Sequence, residues 1–366
     1  VNILYGIQGT GNGHLSRARA MAEAFAARGA SVRYLVSGRD PSQLFDMQAF
    51  GDFELRRGLS FVNEAGRVRY RKTLLANRYL GFLRDMRELD VQCYDLILSD
   101  FEPVTAWAGT LRRRPVISLG HQPAFDHAVP VAGQNLVSEL VMRWFAPGGV
   151  RVGLHWARYA PLILPPIVHL PEGSTLRRAG KILVYLPFED SAQLLPLLAR
   201  IDRADFHVYA PGLAHEDRGN LHLRPASVDG FHADLRDCEG VICGAGFELA
   251  SECLVLGKRL LVKPQGRQME QASNALALEE LRLATPLPRL EREPIEAWLA
   301  GNAFAPRLHY PNVASALADW VLAGDHSRQS LARLADSLWQ GVVPDCAVPL
   351  RARRAVREMP AARPLA

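Results

Sequence analysis

Cysteine is scarce in this chain and falls into no pattern. Cys93, Cys238, Cys243, Cys253 and Cys346 are five scattered positions in 366 residues, without a C-x-x-C pair. That excludes a disulfide framework and a thiolate zinc site, and it implies free thiols in a reducing compartment. No apolar run reaches the roughly 20 residues of a membrane span. Residues 1–7 read as a strand with no basic-then-apolar leader, so a soluble, cytoplasmic protein is expected. Short-period repeats are also missing, and 48% hydrophobic with 22% charged residues excludes a disordered or collagen-like chain. Nor does one sign of charge dominate. The net charge is +5, and from Gln340 onward Arg351, Arg353, Arg354, Arg357 and Arg363 outweigh Asp345 and Glu358 to give +3 of it. With that Pro/Arg-rich tail set apart and no binding module recognisable, nucleic acid is not an expected partner.

What is present is alternation. β-rich apolar runs trade places with amphipathic stretches from the first residue, which is the pattern of parallel α/β architecture. Strands are expected at 1–7, 31–36, 53–62, 94–99 and 115–120, with helices at 14–28, 69–89 and 103–112. Four prolines between Pro161 and Pro171 read as an extended connector. The pattern then restarts, with strands at 181–187, 206–210, 220–224, 239–243 and 259–263. Helices are expected at 190–200, 231–237, 247–256, 269–281, 294–300, 312–322 and 327–339. The expected architecture is two tandem Rossmann-like, doubly wound domains with a cleft between them. The expected divisions are 1–160 for the first half, 161–175 for the linker and 176–325 for the second half. A closing helix at 326–340 and the basic tail at 341–366 complete the chain.

Two glycine-rich turns stand between a strand and a helix. The first reads Gly6-Ile-Gln-Gly9-Thr-Gly11-Asn-Gly13-His14. It fails G-x-G-x-x-G, because the sixth position is His14 or Ser16, and no G-x-x-x-x-G-K-[ST] occurs. Its free N–H groups favour an anion, and His14 adds a titratable group. The second runs through Gly244, Gly246 and Phe247 to Glu252 and Gly257, then on to Glu270, Gln271 and Asn274. A diphosphate would rest on the helix start, and Glu252 is placed to accept two hydrogen bonds from a ribose diol.

The stretch from Gly244 to Asn274 resembles the donor-binding signature of GT-B nucleotide-sugar glycosyltransferases. These include plant and antibiotic enzymes and the transferase that glycosylates lipid-linked peptidoglycan precursor. Gly246, Glu252, Gly257, Glu270, Gln271 and Asn274 match its pattern. The resemblance covers the chain to about residue 340, and it is closest to a little-characterised bacterial and archaeal set with G-x-G-x-x-H followed by S/T-R, here His14, Ser16 and Arg17. It implies an inverting transfer from a nucleotide-diphosphate sugar, UDP- or dTDP-linked, to a hydroxyl acceptor that is a small molecule, a glycan or a lipid-linked species. Where plant enzymes carry a diphosphate-binding His, this chain has Gly244. Backbone N–H groups near Gly13 and Gly246, or Arg17, Lys263 or Arg267, are then expected to hold the diphosphate.

Such a transfer needs a base for the acceptor hydroxyl, and histidine titrates near neutrality. His14 is the expected base and Asp100, at a strand end, its partner. His121 and Gln122 are expected on the acceptor side. No metal and no cofactor is expected, and the resemblance of Asp100-Phe-Glu102 to a D-x-D metal motif is read as coincidence. Two alternatives use the same fold, a sugar-nucleotide 2-epimerase and an inactive nucleotide-sugar-binding subunit. The stretch 56–87 combines Arg56, Arg57, Arg67, Arg69, Arg71, Lys72, Arg78, Arg84 and Arg87 with a stripe of Leu75, Tyr79, Phe82 or Leu83, and Met86. The favoured expectation puts that stripe on the core with the arginines in water. The rival is peripheral contact with an anionic membrane face.

Overall fold

The computed structural model describes residues 1–170, 177–225, 227–301, 305, 307–345 and 350. Cys346, the end of the Pro-rich connector and nearly all of the basic tail lie outside the described residues.

β1 (Asn2–Gln8) turns through glycines into α1 (Asn12–Ala26) and returns as β2 (Ser31–Ser37) and β3 (Glu54–Arg56). A small hairpin, β4 (Asn63–Glu64) with β5 (Arg67–Val68), leads to α2 (Tyr70–Ala76) and α3 (Tyr79–Glu88). Then come β6 (Leu96–Asp100), α4 (Pro103–Leu111), β7 (Val116–Gly120), α5 (Leu136–Trp144), β8 (Val150–Leu154) and β9 (Ile163–Leu164). The seven sheet strands lie in the order β3-β2-β1-β6-β7-β8-β9, all parallel. Direction along the sheet reverses between β1 and β6, and the open end of such a reversal is where a parallel α/β sheet takes its ligand.

The second half repeats the plan. β10 (Lys181–Tyr185), α6 (Ser191–Leu198), β11 (Asp205–Tyr209), β12 (Glu216–Arg218) and β13 (Leu221–Arg224) are followed by α7 (Val228–Asp237) and β14 (Gly240–Gly244). α8 (Phe247–Leu256), β15 (Arg259–Lys263), α9 (Met269–Glu280) and β16 (Thr285–Pro286) complete a sheet ordered β12-β13-β11-β10-β14-β15-β16. Here the reversal falls between β10 and β14. Its inner strands β10, β14 and β15 are near-continuous apolar runs, as burial on both faces demands, while β12 pairs antiparallel at the exposed edge.

The Pro-rich connector is extended, and part of it is a strand of the first sheet. Ile163 and Leu164 pair with β8 as the last strand of the first sheet, which therefore reaches past residue 160. Prolines on either side limit it to two residues at an edge, where a missing N–H is tolerated. α10 (Arg292–Ala300) still belongs to the second half, but α11 (Val313–Ala323) and α12 (Arg328–Gln340) return to the first. Arg28, just past the end of α1, donates to Asp319 at 2.6 and 2.7 Å, and Trp339 donates to the Ile163 carbonyl at 2.7 Å.

The stretch 69–89 departs from the favoured expectation. It is two helices broken at Asn77–Arg78, and of α3 only Met86 is buried, with Phe82 partly packed on the core. Of the stripe, Leu75 is 85% and Tyr79 43% exposed, and Leu80 beside it is 84% exposed, so much of this apolar face meets solvent. An amphipathic period identifies a face, and the core here needed only its last turns.

Candidate active site

The two sheet reversals face each other, and the glycine-rich turns meet there. The largest buried cluster runs without a break from Ile3, Phe25 and Trp156 in the first half to Phe247 and Leu254 in the second.

His14 lies in the first turn of α1, and Asp100 ends β6, the strand beside β1. His14 Nδ1 is 2.6 Å from Asp100 Oδ1. Asp100 is fully buried while the His14 side chain keeps 16% of its surface, so the imidazole has one edge toward the cleft. Phe101 follows in the left-handed region (φ 52°), a costly conformation for a bulky residue. It carries the Phe101 ring parallel to His14 at 6.1 Å between centroids. Phe145 sits against Phe101, and Phe61 against Phe145, extending an aromatic wall away from the histidine.

Arg17 is where the structure differs most from the reading of the sequence. Instead of offering a cation to a diphosphate, it is 1% exposed and grips Asp100 through Nε at 2.7 Å and Nη2 at 2.6 Å. Its other terminal nitrogen is ion-paired with Glu248 of α8. Burial alone would push the Asp100 carboxyl up, but the Arg17 guanidinium and His14 outweigh it and hold it below the ordinary range. Burial likewise opposes the Arg17 charge, and Asp100 more than restores it. Of the other cations considered, Lys263 is paired with Glu189 at 2.5 Å, while Arg267 is exposed.

The second turn delivers its residues to the same place. Gly246 is the N-cap of α8 and no side chain among the described residues caps that helix, leaving its first N–H groups available to an anion. At Gly244, a Cβ would stand 3.4 Å from Gln271 Oε1, which accepts from the Gln265 N–H at 2.9 Å. A histidine at 244 would therefore enter the space Gln271 occupies. Glu252 is 5% exposed and accepts from Ser16 Oγ at 3.1 Å. Burial pushes its carboxyl up to about 8.

His121 and Gln122 are buried in contact with the second half. They are 1% and 3% exposed and close directly on α9. His121 Nε2 is 2.6 Å from Asn274 Oδ1, its Nδ1 is 2.8 Å from the Leu154 carbonyl, and Gln122 donates to Glu270 at 3.1 Å. The His121 ring stacks on Phe247 at 4.2 Å, with Trp156 packed on the same phenylalanine. Burial holds His121 below its ordinary pKa. The residues assigned to acceptor and donor thus meet as a seam between the halves. Glu102 faces elsewhere: its carboxylate accepts from Ser37, Thr105 and the N–H groups of Val104 and Thr105, capping α4. Glu248, Trp156 and the aromatic wall were not singled out in the sequence, and Ser16 entered only as part of the S/T-R pair. An acid in the first turn of a helix is ordinary, and nothing in its spacing points to Arg17.

A family model described as Glycosyl transferase family 1 matches residues 1–301. No curated protein matches the chain. Among solved structures, LpCGTa in complex with UDP is similar over 95% of this chain and 100% of its own, at 15% identity and TM-score 0.57. The glycotransferase of kitacinnamycin covers 93% and 99% at 16% identity, TM-score 0.55. SsfS6, a glycosyltransferase of Streptomyces sp. SF2575, covers 93% and 96% at 14% identity, TM-score 0.51. The shared fold is the GT-B arrangement of two Rossmann-like domains.

Proposed function

The chain belongs to glycosyl transferase family 1, and from that premise we propose that it moves a sugar from a nucleotide-diphosphate donor to a hydroxyl acceptor with inversion at the anomeric carbon. The observation that carries this reading is the 2.6 Å contact of His14 with Asp100, on the cleft side of β6 and opposite the uncapped start of α8. In the proposed step His14 Nε2 takes the proton from the acceptor hydroxyl. The oxygen attacks the anomeric carbon as the bond to the diphosphate breaks, and its electron pair leaves with the nucleotide. Asp100 fixes the imidazole tautomer and stabilises the imidazolium. The N–H groups at the start of α8 take up charge on the leaving diphosphate, with Arg267 as the accessible cation. One displacement by a base-activated hydroxyl inverts configuration, and no step calls on a metal. A UDP-sugar is the donor we would try first, since a structure of the same fold holds UDP; a dTDP-sugar is the second. The family match lends no support to the epimerase alternative.

In this reading the nucleotide lies on the second half, with Glu252 toward the ribose, and the acceptor lies along the Phe101–Phe145–Phe61 wall, which suits an apolar body. We extend the proposal to lipid. Leu74, Leu75 and Leu80 of α2 and α3, with Leu136 and Leu140 of α5, are all at least half exposed. Exposed Arg71, Lys72, Arg78 and Arg84 stand among the first group. Apolar insertion beside cations fits an anionic membrane surface.

The test of the chemistry is release of the nucleoside diphosphate from a panel of UDP- and dTDP-sugars against hydroxyl acceptors. His14→Ala should lower turnover by about 10²-fold or more, while the donor still raises the melting temperature. Normal turnover in that variant would remove His14 as the base. A new sugar epimer formed without acceptor would restore the epimerase.

A further inference from the structure

Arg17 stands between two carboxylates from opposite halves of the molecule. Asp100 comes from the end of β6 and Glu248 from the first turn of α8, and the guanidinium, 1% exposed, is hydrogen-bonded to Asp100 and ion-paired with Glu248. His14 shares the same Asp100 oxygen that Arg17 Nη2 holds at 2.6 Å, and that nitrogen is 3.1 Å from His14 Nδ1. A guanidinium so close opposes a second positive charge on the imidazole, and it neutralises the carboxylate meant to stabilise one. Asp100 and Arg17 alone present His14 with no net charge. Glu248 adds one negative charge to the group, and it comes from the second half.

An independent feature shows that the approach of Glu248 is built in. A Cβ on Gly13, the residue before His14, would fall 2.6 Å from Glu248 Oε2. Gly13 lies inside α1 and is not among the positive-φ residues, so its backbone does not require glycine. The space does. Other charged or titratable groups nearby are Tyr5 on β1, buried beside Asp100 and Arg17, Glu270 on α9, whose charge reaches Arg17, and His121 after β7, which feels the Arg17 charge.

We propose that Arg17 is a positioning residue that links the two halves to the base: the Glu248 contact sets how much of the Asp100 charge is left for His14, so the base is armed by closure over the donor. The proposal rests on the reading of His14 as base, but its test needs no turnover. Histidine-labelled protein would be titrated by NMR without substrate, the His14 signals being identified by their loss in His14→Gln. Glu248→Gln should move the His14 titration midpoint down by about one pH unit, roughly tenfold in proton affinity. Gly13→Ala, which displaces Glu248 and leaves every charge in place, should shift it in the same direction. Glu252→Gln, one turn further along α8 and bonded to Ser16 instead, should leave it unmoved. A midpoint unchanged in folded Glu248→Gln protein would overturn the proposal. An equal shift in Glu252→Gln would overturn it too, by assigning the effect to the seam as a whole. Either result leaves the sugar-transfer reading to stand or fall on its own assay.

Discussion

At the scale of the residue, Glu252 shows what closing the two halves does to a single group. Under Ser16 it is 5% exposed, and burial raises its carboxyl to about 8, so at neutral pH it carries a proton. In the unfolded chain it would ionise near the ordinary value of about 4.3. Below that pH both states hold the proton and the difference vanishes. Between about 4.3 and 8 only the native state holds it, so stability falls as pH rises through this window and levels off above 8. We expect Glu252→Gln, which cannot ionise, to melt at a higher temperature than the unaltered protein at pH 8 and to lose that advantage as the pH falls to about 4. The difference at pH 8 should be on the order of a few kcal/mol. Equal pH dependence in both proteins would mean that Glu252 is charged in the fold. His14 and Asp100 were legible in the sequence because each ends or follows a strand at the same sheet edge. The partners of Arg17 were not, since Glu248 is 231 positions away in a chain where helix-start acids are ordinary.

At the scale of the element, positions of helices and strands followed from alternation and from Gly and Pro, but the partner of a helix face did not. The stripe on 69–89 is amphipathic, and periodicity alone cannot say whether the apolar side meets the core or a surface outside the protein. The structure buries Met86 and leaves Leu75 and Leu80 out. Those two leucines therefore hold little of the fold together. Replacing both by serine should change stability by no more than about 0.5 kcal/mol per site, measured by urea melts. If this face rests on lipid, the same pair should abolish flotation with vesicles containing anionic phospholipid. Replacing Arg71, Lys72 and Arg78 by serine should weaken flotation most at low salt, where charge is least screened. Absence of flotation by the unaltered chain, or flotation indifferent to both sets, would rule out the lipid proposal and leave the leucines as exposed side chains. The helix-capping role of Glu102 is also an element-scale fact: D-x-D-like spacing placed it two residues after Asp100, but its carboxylate serves α4.

At the scale of the whole molecule, the tandem plan was legible because the strand–helix alternation stops at the prolines and starts again. The docking of the halves was not. Its contacts join residues as far apart as Ser16 and Glu252, 236 positions, and the return of α11 and α12 to the first half leaves no local trace. That docking has a kinetic consequence. Glu252, Glu270 and Asn274, the side chains assigned to the donor, are hydrogen-bonded to Ser16, Gln122 and His121 across the seam. A nucleotide that uses them must first find the seam parted, so binding passes through a minor open state. With rising nucleotide concentration the observed binding rate in stopped-flow should level off at the opening rate instead of climbing linearly. Asn274→Ala removes a seam contact to His121 and should raise that plateau, even as it weakens the final complex by removing a donor-side amide. Opposite movements of rate and affinity in one variant distinguish a seam that gates entry from a residue that only binds. A rate linear to the highest concentration, equal in both proteins, would show that the donor reaches its side chains without the halves separating.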